Sequence, residues 1–165
     1  PLFHMVTTAL FEQISGYMAS SRQHFESEPD GGLIVAQIGG EHGNWHTYIQ
    51  ITDDDEARRV VIHAHLPALI PASTRHKVAE LLTSINYDLV VGNFELGLDD
   101  GETLFKTSVD LADSQLTQAM FERMYQLNCQ VMNEHYGQIW NVAFGEAIAP
   151  GVNAVTYRLG GTFLQ

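Results

Sequence analysis

Leu33-Ile34-Val35-Ala36-Gln37-Ile38, then Gly39-Gly40-Glu41-His42-Gly43-Asn44, then Trp45-His46-Thr47-Tyr48-Ile49-Gln50-Ile51 is the stretch from which the fold is read. The first run is short, apolar and β-branched. The second supplies the glycines and asparagine that a hairpin loop needs for positive φ. In the third, Trp45, Thr47, Ile49 and Ile51 alternate with polar neighbours, the period of a strand with one buried face. After the acidic turn Asp53-Asp54-Asp55-Glu56, the segment from Ala57 to His65 carries Val60-Val61-Ile62 and reads as a third strand, so three consecutive strands form an antiparallel meander.

Upstream, Val6, Leu10, Ile14 and Tyr17 recur at helical spacing, with Phe11 and Met18 widening the face, which predicts an amphipathic helix over 7–19. The polar stretch that follows breaks the period, and Pro29-Asp30-Gly31-Gly32 reads as a turn. Downstream, two prolines make Leu66-Pro67-Ala68-Leu69-Ile70-Pro71 a non-helical connector. Ser73 is the expected N-cap of a second helix running to about Tyr87, on the spacing of Val78, Leu81, Leu82, Ile85 and Leu89. Strands are expected over 90–98 and 102–109, joined by Asp99-Asp100-Gly101.

From Ser114 to Phe144 a long helix carries two adjacent apolar stripes. One is Leu116, Met120, Met124, Leu127 and Val131; the other is Phe121, Tyr125, Met132, Tyr136, Ile139 and Trp140. That face is wider than one sheet needs, so Met120, Met124, Leu127, Val131, Tyr136 and Trp140 are candidate residues for contact with a second protein, and Gly137 is a candidate kink. The expected architecture is α+β in the order α-β-β-β-α-β-β-α, a five-stranded antiparallel sheet covered by helices. Residues 1–145 form one domain. Residues 146–165 read as a C-terminal extension, with a turn at Pro150-Gly151 and a short strand on the alternation of Val155, Tyr157 and Leu159.

The composition sets the function classes. The chain has 165 residues, 45% of them hydrophobic, and 8 Lys+Arg against 20 Asp+Glu give a net charge of −12. Such a chain can bury a single ordinary core and is an acidic globule. Its one basic pair, Arg58-Arg59, follows an acidic run, which argues against nucleic-acid or anionic-membrane binding. No apolar run approaches the roughly 20 residues of a bilayer span, and Pro1-Leu2-Phe3-His4-Met5 lacks the basic start of a signal peptide, so a cytoplasmic protein is expected. The single cysteine, Cys129, fits a reducing compartment and reads as a core or interface residue.

Candidate chemistry is sparse. His63 and His65 lie two apart on one strand and share a face, so with His46 from the neighbouring strand they could chelate a metal. No HExxH or other fixed ligand spacing accompanies them. The acidic turns fail an alignment to a calcium loop and read as solvated hairpin tips that discourage edge aggregation. Gly39-Gly40-xx-Gly43 and Gly92-xxxx-Gly97 lack the residues of phosphate loops, and there is no Gly-x-Ser-x-Gly elbow. No catalytic residue and no cofactor is expected.

Three segments carry a resemblance: His63-Ala-His-Leu-Pro-Ala-Leu-Ile-Pro, Arg75-His-Lys-Val-Ala-Glu-Leu-Leu-Thr-Ser-Ile-Asn86, and Gly92-Asn-Phe-Glu-Leu-Gly-Leu-Asp-Asp-Gly-Glu-Thr-Leu-Phe-Lys-Thr-Ser. Over residues 60–110 the chain resembles the YbjN family, described as bacterial sensory transduction regulators. Pro67, Pro71, Asn86, Gly92, Phe94, Glu95 and Gly101 carry the match. Asn86 suits the end of a helix, Gly92 a position with no room for a Cβ, and Phe94 the core face of the sheet. The resemblance implies similarity in fold to type III secretion chaperones, which are small acidic homodimers holding extended segments of other proteins. The expectation is therefore a non-enzymatic, homodimeric, protein-binding module, chaperone-like or regulatory, with an unidentified protein partner. The competing expectation is a metal- or small-ligand-binding sensor domain using the strand histidines.

Overall fold

The computed structural model describes residues 8–145. The C-terminal extension and the start of the first predicted helix lie outside the described residues. Helix α1 (Ala9–Ser20) opens with Thr8, whose side chain accepts from Phe11 N, and buries Leu10, Phe11, Ile14 and Met18. Strands β1 (Phe25–Glu28), β2 (Leu33–Gly39), β3 (Asn44–Asp53) and β4 (Arg58–His65) follow, with a 3-10 turn at Pro29–Gly31 closed by Gly32 at φ +61°. Then come α2 (Arg75–Asp88), β5 (Asn93–Leu96), β6 (Thr103–Asp110) and α3 (Gln118–Phe144).

The sheet is antiparallel and six-stranded, in the order β1-β2-β3-β4-β6-β5, and so has one strand more than expected. The additional strand is β1. Its sequence, Phe-Glu-Ser-Glu, is half-buried only at Phe25, so it carries no hydrophobic alternation and is specified by pairing with β2, Phe25 opposite Ala36 and Glu28 opposite Leu33. The described helices cover one face of the sheet. Ile34, Ala36, Ile38, Trp45, Ile49, Val60, Ile62, Ala64 and Phe105 alternate into the core beneath α1 and α3. Fully burying side chains of the Val, Leu, Ile or Phe type contributes about 1.5–3 kcal/mol each, so this layer dominates stability.

Three local expectations are corrected. The residue before α2 is Thr74, not Ser73. Its hydroxyl makes no capping bond but donates to the Ala143 carbonyl at the end of α3, 2.9 Å away. The fifth strand is limited to Asn93–Leu96 because Gly92 turns the chain at φ +79°, leaving Val90 and Val91 outside the sheet. Helix α3 starts at Gln118, capped by Thr117 Oγ1 accepting from Met120 N, and runs unbroken through Gly137, where the missing side chain gives room to the His42 ring.

The acidic turns also have internal work. Asp53 accepts from Leu10 N in the first turn of α1 and from Arg58 Nε at 3.0 Å, which places a carboxylate at the positive end of that helix. Asp54 Oδ1 accepts from Glu56 N and Ala57 N, and Asp100 Oδ1 from Glu102 N.

Candidate functional site on the open sheet face

Pairing register decides which side chains leave the sheet on the uncovered side. His46 stands opposite His65 across β3 and β4, Tyr48 opposite His63, and His63 opposite Lys106 across β4 and β6. With Leu33 and Val35 of β2, Val61 of β4 and Leu104 of β6, they form a field, half-buried except at the exposed His46, over which no described element packs. A shallow depression of about 380 Å³ lies within it, lined by Leu33, Tyr48, Gln50, His63, His65 and Glu102.

His65 Nδ1 lies 3.2 Å from Glu102 Oε1, and its ring meets that of Tyr48 nearly edge-on at 4.9 Å between centroids. The His63 ring is 5.8 Å from that of His65. Burial, then the neighbouring His65 and Lys106, hold the His63 imidazole below its usual pKa, so at neutral pH it is an uncharged hydrogen-bonding group. Glu95 pairs with Lys106 and also accepts from Asn93 Nδ2. Burial pushes the Glu95 carboxyl up, but the bonds from Lys106 and Asn93 outweigh it and hold the group below its usual value.

The three candidate metal histidines thus share a face without forming a ligand set. Among the described residues no three His, Cys, Asp or Glu side chains are grouped to hold a metal ion. His46 is exposed and its ring lies toward Tyr48, at 6.3 Å.

Of the candidate contact residues on α3, Val131 and Tyr136 are buried within the chain, Tyr136 against Trp45 at 6.1 Å, and so belong to the core. Met120 is exposed, while Met124, Leu127 and Trp140 are half-buried at the edge of the core. Tyr136 and Trp140 stack, and Phe144 packs tilted against Trp140, along the end of the helix. Cys129 is fully buried, and desolvation pushes its thiol up to about 12, which leaves it unreactive.

The seven residues that carried the resemblance fall together around α2 and the β5–β6 hairpin. Pro71 O accepts from Thr74 N and Arg75 N, turning the Pro67–Pro71 connector, anchored by the buried Ile70, into α2. Gly101, at φ +84°, is packed so that a Cβ would strike the Ile70 carbonyl. At Gly92 a Cβ would collide with Phe105 and with the Lys106 carbonyl. Phe94 is buried against Phe105, their rings 4.8 Å apart. Asn86 does not end its helix. It lies inside α2 and bonds the backbone of Phe94.

Sequence reasoning reached the histidines but missed Tyr48, Gln50, Glu102 and Lys106 as their neighbours. The alternation in β3 contained Tyr48 and Gln50. Bringing in Lys106 required knowing that β6, not β5, lies beside β4.

The crystal structure of YbjN from E. coli, described as "a putative transcription regulator", is similar to this chain with a TM-score of 0.57. The two share 13% identity, over 81% of this chain and 95% of that one, a likeness of fold. No curated protein matches the chain. Residues 11–139 match the model of the YbjN family, described as "Putative bacterial sensory transduction regulator", and the chain belongs to that family.

Proposed function

We propose that the chain is a non-enzymatic protein-binding module of chaperone-like or regulatory type, that it acts as a homodimer, and that the open face of the sheet is its principal contact surface. The observation that carries this reading is the helix-free face itself, where half-buried Leu33, Val35, Tyr48, Val61 and Leu104 lie together without a covering layer. An antiparallel sheet commonly packs its apolar face against helices and turns a polar face to water. Here the apolar face takes all three described helices, while the open one is mixed rather than polar, the character of association surfaces. The ridge of Met120, Met124 and Leu127, with Trp140 beyond it, is a second contact face of the same module. Family membership supports a regulatory role and supplies no catalytic residues.

Light scattering on the eluting protein tests the assembly. The expected mass at micromolar concentration is twice the 18.4 kDa of one chain. Val61→Glu places a charge in the middle of the open face and is expected to give the single-chain mass, whereas Met124→Glu leaves the dimer intact. A wild-type protein that elutes as a monomer overturns the homodimer, and a Val61→Glu protein that remains dimeric overturns the assignment of the face. The depression around His63 and His65 favours a second reading, a small-ligand sensor domain. That reading needs no dimer, and it survives a monomeric result that the first does not.

A further inference from the structure

His63 and His65 lie on β4, an inner strand with β3 on one side and β6 on the other. Both rings are half-buried and leave the sheet on the same side as Val61. The titratable and charged groups facing His63 are Tyr48 of β3, His65 of its own strand, Lys106 of β6, Glu95 of β5 and Glu102 from the turn before β6. Around His65 stand His46 and Tyr48 of β3, His63 and Glu102. The two carboxylates are already engaged, Glu95 by Lys106 and Glu102 by the His65 ring. A proton added to His63 therefore puts a positive charge beside His65 and Lys106, and histidine is the side chain whose ordinary titration lies nearest neutrality.

We propose that association through the open face is gated by pH: the two copies hold together while His63 and His65 are neutral, and protonation of this pair on mild acidification releases them. This rests on the homodimer reading above and adds its regulation. A two-fold interface uses the same patch of both chains, so the second copy brings its own pair of imidazoles into the same contact. Covering the face removes water from Val61 and Leu104 and equally from these rings. A neutral imidazole donates and accepts within a contact, whereas an imidazolium with no free carboxylate carries the desolvation cost of a buried charge. That cost falls on the dimer alone, because in the single chain water solvates the charged ring. The single chain therefore binds more protons than the dimer, and dissociation is favoured as pH falls through the ordinary histidine range near 6.5. Burial already holds His63 below that value in the single chain, and covering extends the same effect. The background works the other way. Acidification reduces the net charge of −12 and eases the general repulsion between two copies, so loss of the dimer has to come from the contact itself.

The test is light scattering over a dilution series at pH 8 and at pH 5.5, with circular dichroism at each pH to show that the chain is folded. The dissociation constant of the dimer is expected to rise at least about tenfold on acidification. The same ratio is read for His63→Gln and for His63→Gln combined with His65→Gln, each against its own value at pH 8, so a change in basal affinity does not enter. The single variant is expected to lower the ratio and the double variant to bring it to about one. A wild-type dimer that is equally tight at both pH values, or tighter at pH 5.5, overturns the gating and leaves the dimer standing. A wild type that is a monomer at pH 8 overturns the dimer and the gating together. A double variant that keeps the wild-type ratio overturns the assignment to these two residues. Should the glutamines prevent folding or association, NMR titration of the wild-type imidazoles decides. Linkage is reciprocal, so His63 is expected to titrate at lower pH in concentrated, dimeric protein than in dilute protein, and superimposable curves overturn the proposal.

Discussion

Arg75 sits in the first turn of α2 and spreads its guanidinium over four backbone carbonyls. Nε donates to Ile70 O at 2.9 Å, one terminal nitrogen to Leu98 O at 3.1 Å and Asp99 O at 3.0 Å, and the other to Asp100 O at 3.0 Å. These bonds tie the Pro67–Pro71 connector to the β5–β6 turn, whose own backbone is held by Ile70 N donating to Gly101 O. Arg75→Lys keeps the charge and loses the planar fork, so at best one or two of the four carbonyls retain a partner. A hydrogen bond to a charged group contributes about 1.5–3 kcal/mol when buried, and much less where water competes. Three of the four carbonyls here belong to exposed residues, and the sum expected for the substitution is about 2 kcal/mol. For a domain of this size that lowers Tm by roughly 4–8 °C. The assay is thermal unfolding followed by circular dichroism, run beside Arg75→Met, which is expected to fall at least as far. A Tm for Arg75→Lys within about a degree of wild type refutes the argument, for it would mean that solvent satisfies those carbonyls as well as the guanidinium does.

Two further outcomes follow from buried polar groups. His63 resists protonation in the folded chain, whereas the unfolded chain takes up a proton near 6.5. The unfolded state therefore binds more protons as pH falls through that value, and stability drops below about pH 6.5. His63→Gln is expected to flatten the fall in urea midpoint between pH 7 and 5.5, and an unchanged slope overturns the assignment. Asn128, fully buried in α3, donates from Nδ2 to Ile62 O, Phe105 O and Thr107 Oγ1, while its Oδ1 has no partner. Asn128→Asp replaces that donor with a carboxylate facing carbonyls and is expected to cost about 3–5 kcal/mol in urea unfolding, more than Asn128→Leu. The reverse order refutes this reading of the site.

What could be read from local pattern was the set of elements with a buried face. Ile34, Ile38, Trp45, Ile49, Val60, Ile62 and Phe105 alternate at period two and lie in the core, as do Leu10, Ile14, Val78, Leu82 and Ile139 at helical spacing. What could not be read was anything specified by a neighbour. Strand β1 has a single half-buried residue and exists through its pairing with β2. The role of Asn86 is invisible locally, because an asparagine near a helix end usually signals a C-terminal cap, whereas here the side chain is used eight residues further along the chain. The histidines were located correctly on one face. Their lack of convergence is a matter of ring direction across two strand pairs, which spacing does not encode. The two-stripe width of α3 has a mixed cause, since Tyr136 fills the space over Trp45 while Met120 remains outside.

The distribution of charge sharpens the functional argument. Edge strands tempt other chains to pair, and this molecule blunts one edge with Glu26 and Glu28 and the other with an amide supplied by α2. The strand-connecting turns are similarly occupied, since Asp53, Asp54 and Asp100 bind backbone amides rather than waiting for a ligand. The open sheet face is treated differently. Glu95 forms an ion pair with Lys106 and Glu102 lies against the His65 ring, and the space between them holds Tyr48, Val61 and Leu104. Paired charges around an apolar centre lower the desolvation cost of covering the face, whereas unpaired charges would raise it. With both edges blunted, the open face is the part of the sheet that side chains rather than backbone groups present to solvent.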